Sequence, residues 1–197
     1  MLSILIPCAD EENVHLFLED LERIVPCGEI IVARDRDRNG KGWALREALK
    51  EAKGDQIAFI DGDGEIPARM LLRLMPFLED FDVVVGSKRI TVAPMRRKIM
   101  TQVTRFFFRL FFGVWCDTQT GIKLFRRSAL DNYAPYWHAN GFIFDLELIS
   151  RLQKNGLKIV EVPVEVWIRQ QLKVSTIFKI TREAIWLWFR LLFRIGK

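Results

Sequence analysis

Apolar and polar positions alternate along the first half of the chain in two rhythms, and the switches between them mark the elements. LSILIP (2–7) is an apolar run of strand length. In CADEENVHLFLEDLERIV (8–25) the apolar positions Val14, Phe17, Leu18, Leu21, Ile24 and Val25 recur at the spacing of one helix face, and Asp10 is placed to cap the start. GEIIVA (28–33) reads as a second strand, and KGWALREALKEAKG (41–54) as a second helix with Gly54 as its stop. QIAFID (56–61) is a third strand, PARMLLRLMPFLED (67–80) a third helix with Pro67 in its first turn, and DVVVGS (82–87) a fourth strand. This alternation predicts an α/β fold, a mainly parallel central sheet with helices on both faces. Ligands of such sheets sit at the carboxyl ends of the strands.

Length and composition narrow the class. A chain of 197 residues is long enough for one domain with a substantial core. The net charge of +5 comes from basic residues gathered mostly after residue 85, which suits an anionic partner. Those arginines keep apolar and aromatic company, so a nucleic-acid role, which wants a dispersed basic stripe, is not expected. Cys8, Cys27 and Cys116 form neither a zinc pattern nor a disulfide framework and read as reduced, buried thiols in a cytosolic setting. MLSILIP is too short for a signal peptide and lacks a basic leader, and no apolar run reaches the ~18 charge-free residues of a spanning helix.

The candidate chemistry starts at IAFIDGDGEIP (57–67), where Asp61, Asp63 and Glu65 follow directly on the third strand. A solvated acidic turn is one reading. An EF-hand calcium loop is a poor one, because Ile66 stands where that loop needs Gly and Leu72 where it needs Glu. A divalent cation beside a nucleotide diphosphate explains the cluster better: hard cations take carboxylate oxygens, and the cation relieves the repulsion among the acids.

Five segments in order resemble family 2 glycosyltransferases of the GT-A fold, in the subgroup of dolichol-phosphate mannosyltransferase and related polyprenyl-phosphate glycosyltransferases. They are SILIPCADEEN, NGKGWALREALKEAKGDQIAFIDGDGEIP, DVVVGSKR, DTQTGIKLFRRSAL and GFIFDLELISRLQKNGLKIVEVPVEVWIR, covering about residues 3 to 175. The resemblance implies a GT-A domain over 1–175, with a nucleotide-sugar half (1–87) and an acceptor half (88–175), followed by an amphipathic helix over 176–197. Asp61 and Asp63 match the DxD that holds Mg²⁺ or Mn²⁺ and the diphosphate, and Glu65 stands where Gln is the usual further metal ligand. Pro7 and Glu11 match the first nucleotide-binding loop, in which Ala9 replaces the usual Tyr and Asp10 the usual Asn. Asp35 falls at the end of the second strand, in the place of the family's Asp-rich loop, much shortened here, and the resemblance implies a nucleotide contact for it. Lys41 and Gly42 match the GKG before the second helix, where a solvated helix-start lysine is the alternative for Lys41.

In the acceptor half, Arg89 matches the family's GSR, Arg97 and Thr101 its RxxxS pair, and Arg169 its WxxR. The resemblance implies that these hold the phosphate of a lipid acceptor, a task that suits the planar guanidinium fork. Asp117 and Gln119 match a loop near the donor sugar, with turn structure as the alternative. FDLEL (144–148) serves packing, with Asp145 or Glu147 lining the site or favouring a helix start. The implied activity is metal-dependent, inverting transfer of a mannose- or glucose-class sugar. The donor is a GDP- or UDP-sugar, and the acceptor is a polyprenyl or dolichyl phosphate. A phosphate acceptor is already an anion and needs no general base. Asp63, Arg89, Arg97 and Arg169 would carry the chemistry. IMTQVTRFFFRLFFGVW (99–115) and TIFKITREAIWLWFRLLFRIGK (176–197) combine aromatics with arginines in the manner of interfacial segments. The expected position is peripheral, at the cytoplasmic face of a membrane; for 176–197 an amphipathic helix packed on the sheet or on a partner subunit is the alternative. Two alternatives stay open: transfer to a glycan or soluble acceptor, with Asp117 or Asp145 as base, and a membrane scaffold that has lost catalysis.

Overall fold

The computed structural model describes residues 1–8, 14–26, 28–88, 105–141 and 143–167. Glu11, Arg89, Arg97, Thr101, Arg169 and the segment 176–197 lie outside the described residues, as do Ala9, Asp10 and Cys27. The predicted strands and helices of the first half form β1 (Leu2–Cys8), α1 (Val14–Ile24), β2 (Glu29–Arg34), α2 (Lys41–Glu51), β3 (Gln56–Ile60), α3 (Met70–Leu74) and β4 (Val83–Lys88). A helical stretch α4 covers 105–112. It is followed by β5 (Ile122–Arg126), α5 (Arg127–Asp131), α6 (Phe144–Lys154) and β6 (Ile159–Val164).

The six strands form one sheet in the order β2-β1-β3-β5-β4-β6, parallel except for β5, which runs antiparallel to both neighbours. Both faces are covered, which is why β3 and β4 read as unbroken apolar runs. Ile57, Phe59, Val83 and Val85 point to a core shared with α2, α4 and α6. Ala58, Ile60 and Val84 point to the opposite core, against α1 and α3. Pro7 lies in an interior strand, yet β1 pairs with β3 only as far as Leu5, so its missing N–H falls beyond that ladder. Pro163 is tolerated because β6 is an edge strand.

Two expectations are corrected. The third helix is short: α3 ends at Leu74 and a 3-10 turn over Met75–Glu79 replaces its second half, because Pro76 has no N–H to continue the α-helical ladder. Gly54 is not the stop of α2, which ends at Glu51 with extended backbone at Ala52. Gly54 is needed for close approach, since a Cβ there would sit 2.7 Å from the Ser3 backbone nitrogen. Cys8 and Cys116 are only partly buried, where the sequence reads as buried thiols. Burial, reinforced by the charge of Glu161, pushes the Cys116 thiol up to about 12. Among the described residues no helix is long and apolar enough to cross a membrane.

Candidate active site

β3 delivers the acidic loop to the carboxyl edge of the sheet, and β5, running the other way, begins at the same edge. The Asp61 N–H donates to the Gly121 carbonyl at 2.9 Å, which stitches the two together. Gly121 has to be glycine: a Cβ there would lie 2.2 Å from Asp61 Oδ2. Gly121→Ala is therefore expected to lower unfolding free energy by about 1–3 kcal/mol, the usual cost of overpacking. A denaturant titration measures this, and an unchanged midpoint would mean that the loop has room to move. Beyond Asp61 the loop turns at Gly64 (φ 67°), and Asp63 Oδ1 accepts the Glu65 N–H at 2.9 Å. Burial pushes the Asp63 carboxyl up; the Glu65 N–H opposes this, while the charges of Asp61 and Glu65 add to it. The Glu65 carbonyl accepts the Trp167 N–H at 2.7 Å, which brings the chain after β6 back to the acidic loop.

Lys41, the first residue of α2, is no solvated helix-start lysine. Its Nζ lies 2.5 Å from Asp61 Oδ1 and 3.9 Å from Asp145 Oδ2. Burial alone would pull the Lys41 ammonium down, but Asp61 and Asp145 together hold it above the ordinary lysine value. The flanking glycines explain how α2 comes so close. A Cβ at Gly40, whose φ is 114°, would meet the Asn140 carbonyl oxygen at 2.3 Å, and one at Gly42 the Ala139 carbonyl oxygen at 2.4 Å. The Gly42 N–H donates to the Asn140 carbonyl at 2.8 Å. Asp35 holds the short loop before α2 by accepting the backbone N–H groups of Asn39 and Gly40 at 2.8 and 2.5 Å. Its carboxylate therefore has a structural job at the place where the resemblance put a nucleotide contact.

The two acids at the start of α6 separate in role. Asp145 faces the site, and its Oδ1 is 2.7 Å from the ammonium of Lys123. Glu147 turns away and accepts the backbone N–H groups of His138 and Ala139 at 3.0 and 2.6 Å, with Arg151 also paired to it. On the other side Arg46 donates to the Ala139 carbonyl, so the 137–141 turn against which Lys41 is set is clasped from two helices. Lys123 is the residue that sequence reasoning missed. It is the second residue of β5, is 1% exposed, and also donates to the Thr120 carbonyl at 2.7 Å. The only signal in the sequence is a lysine inside the apolar run GIKLF.

DTQTG forms the turn that precedes β5. Asp117 is buried and fully occupied: it accepts the N–H groups of Lys88 and Gln119 and pairs with Arg105 at 3.1 Å. Its own N–H donates to Glu161 at 2.5 Å. Asp117 thus holds the turn, and the carboxyl-terminal end of the same turn lies against Asp61. The structure therefore brings together Asp61, Asp63, Lys41 and Asp145, with Gly121 and Lys123 as supports. Pro7 stays in β1, opposite Ala33 of β2.

A divalent cation can be tested against these residues. Among the described residues no three His, Cys, Asp or Glu side chains form a ready metal cluster, so Asp61, Asp63 and Glu65 do not make an all-protein cage. Asp61 and Asp63 suit a Mg²⁺ or Mn²⁺ ion whose remaining oxygens come from a bound diphosphate, the usual arrangement for such ions. A cation there would offset both the burial that chiefly pushes the Asp63 carboxyl up and the repulsion from Asp61 and Glu65.

Comparisons with known proteins fall in line with this geometry. The model of the family described as glycosyl transferase family 2 matches residues 6–134. Glycosyltransferase AglD of Haloferax volcanii is 27% identical over 203 residues, covering 83% of this chain and 32% of that protein. Dolichyl-phosphate beta-glucosyltransferase of Saccharomyces cerevisiae is 28% identical over 145 residues, covering 64% of this chain and 43% of that protein. The chain thus spans less than half the length of these relatives. Glucosyl-3-phosphoglycerate synthase from Mycobacterium tuberculosis, crystallised with Mn²⁺ and UDP-glucose, superposes with a TM-score of 0.71 at 18% identity, over 93% of this chain and 76% of that one. At that identity the likeness concerns the fold alone, which is that of a GT-A transferase.

Proposed function

Because the chain belongs to glycosyl transferase family 2, we propose that it transfers a hexose from a nucleotide-diphosphate sugar to a polyprenyl or dolichyl phosphate. The observation that carries the choice of acceptor is the state of the two spare carboxylates. A hydroxyl acceptor needs a carboxylate aimed at it as a base. Asp117 is enclosed by Lys88, Gln119 and Arg105, and Asp145 has its oxygens directed at Lys123 and Lys41. Neither is directed at an incoming hydroxyl. A phosphate acceptor arrives as an anion and needs orientation and charge balance instead.

Arg89, Arg97, Thr101 and Arg169 supply these in the proposed mechanism. Arg89 directly follows Lys88 at the carboxyl end of β4, and Arg169 comes two residues after Trp167, whose N–H reaches Glu65. Asp61 and Asp63, with Glu65 nearby, would hold Mg²⁺ or Mn²⁺, whose charge would neutralise the departing diphosphate. We assign Lys41 and Gly42 to the diphosphate, and Pro7, Glu11 and Asp35 to the nucleoside. The names of the relatives favour glucose over mannose, and UDP-glucose is the first donor to test. Phe106, Leu110 and Trp115 are exposed on and just after α4, with the Arg109 guanidinium 3.4 Å over the Trp115 ring. That pairing supports a peripheral position at a membrane surface, which we assign to the cytoplasmic face, with 176–197 as a second contact.

The test is transfer from radiolabelled UDP-glucose, and from GDP-mannose in parallel, to a short-chain polyprenyl phosphate with Mn²⁺. No product from either donor, despite donor binding, would remove the reading. Arg97→Lys keeps the charge but loses the fork. It is expected to cost ~1.5–3 kcal/mol in the transition state, a rate loss of roughly ten- to a hundredfold, with donor affinity by calorimetry unchanged. Equal loss in both measurements would assign Arg97 to the nucleotide or to the fold.

A further inference from the structure

Lys41 sits where the second cation of the site would have to act. Its ammonium lies 2.5 Å from Asp61 Oδ1. The other Asp61 oxygen is crowded by Gly121, where even a Cβ would be 2.2 Å away. The Asp61 side chain keeps 32% of its surface exposed, and Lys41 pairs with its Oδ1. On its far side Lys41 has a second partner, Asp145 Oδ2 at 3.9 Å, just beyond a close pair. Asp145 is held in place by Lys123, so it stays available as a landing point for Lys41. The Phe144 ring lies 5.5 Å from the ammonium. Two cations within bonding distance of one carboxylate repel strongly in so enclosed a place.

We infer that Lys41 is a built-in counter-ion that competes with the divalent cation for Asp61 and yields it only when a nucleotide diphosphate draws the ammonium away. The empty site is then kept neutral by its own lysine, and metal and nucleotide load together. Linkage makes the effect reciprocal: whatever factor the nucleotide gains for the metal, the metal gains for the nucleotide. The inference rests on the nucleotide-sugar reading for the identity of the second ligand, but its first half concerns the metal alone.

Mn²⁺ binding is measured by electron paramagnetic resonance on the full chain without nucleotide, then with UDP. Lys41→Met, which removes the charge at nearly equal volume, is expected to bind Mn²⁺ alone at least about tenfold more tightly than the unsubstituted protein. The gain in Mn²⁺ affinity on adding UDP should shrink by a similar factor. Lys41→Arg, which keeps the charge, should bind Mn²⁺ alone as weakly as the unsubstituted chain, and circular dichroism checks that all three proteins are folded. If Lys41→Met binds Mn²⁺ alone no more tightly than the unsubstituted chain, including no binding by either, the counter-ion role is overturned. If Lys41→Arg tightens binding as much as Lys41→Met, charge is not the cause and the role is likewise overturned. Absence of UDP or GDP binding with a tenfold Mn²⁺ effect intact would defeat the transferase reading and leave the competition at Asp61 standing.

Discussion

Asp63→Ala is expected to abolish sugar transfer while leaving the fold intact. Asp63 lies past the end of β3 on a loop, so no sheet hydrogen bond depends on its side chain. Its carboxyl is pushed up by burial and by the charges of Asp61 and Glu65, which makes the ionised form costly to the folded state. Removing it relieves that cost, and the melting temperature should hold or rise. Activity should move the other way. Loss of one of two carboxylates suited to the cation removes part of the charge stabilisation of the departing diphosphate, worth several kcal/mol; a loss of about 4 kcal/mol is roughly a thousandfold in rate. EDTA should reproduce the effect on the unsubstituted protein. Thermal melting and a transfer assay, run on the same preparation, decide the matter. Full activity in the variant or in EDTA would remove the metal-dependent mechanism, and a collapsed melting curve would give Asp63 a structural role.

The parts of this protein legible in the sequence are those whose signal is local. β1 to β4 and the helices between them follow from apolar runs and helical spacing, because each element buries a face that its own residues define. The acidic loop was legible for the same reason: Asp61, Asp63 and Glu65 are close in sequence and directly follow a strand. The sequence reads as one third helix running through Pro76, although the rule that breaks it there is local. What was hidden depends on partners far along the chain. Arg46 clasps Ala139 across 93 positions, and Gly121 is defined by a contact with Asp61. β5 escaped recognition because its second residue is charged, and a lysine inside an apolar run ordinarily argues against a buried strand. Asp145 and Glu147 illustrate the limit most clearly. They are two residues apart on one helix turn, and only the packed partners, Lys41 and Lys123 for one and the 138–139 backbone for the other, divide site lining from structural clasp.

The same buried lysine gives the largest expected effect on stability. Lys123 pairs in register with Phe59 of β3 and Val85 of β4, at the centre of the sheet. Its ammonium is held by Asp145 Oδ1 and the Thr120 carbonyl, each at 2.7 Å. Lys123→Met keeps the length and apolar stem but leaves Asp145, 7% exposed, facing only Lys41 at 3.9 Å. Breaking a buried pair from one side typically costs ~3–5 kcal/mol, a large share of the ~5–15 kcal/mol that stabilises a domain. Lys41 would then be drawn from Asp61 toward the uncompensated Asp145, so the site would be disturbed as well as the core. The double variant Lys123→Met/Asp145→Leu removes both charges and is expected to recover most of the stability, since an apolar replacement of a whole buried pair is often neutral. Asp145→Leu alone should be destabilising too, because it strands the Lys123 ammonium in the sheet. Urea unfolding of the four proteins gives the coupling energy directly. If Lys123→Met unfolds within about 1 kcal/mol of the unsubstituted chain, below the range for a broken buried pair, or if the double variant is no more stable than the singles, then Lys123 and Asp145 are not the mutually dependent pair that fixes this edge of the site.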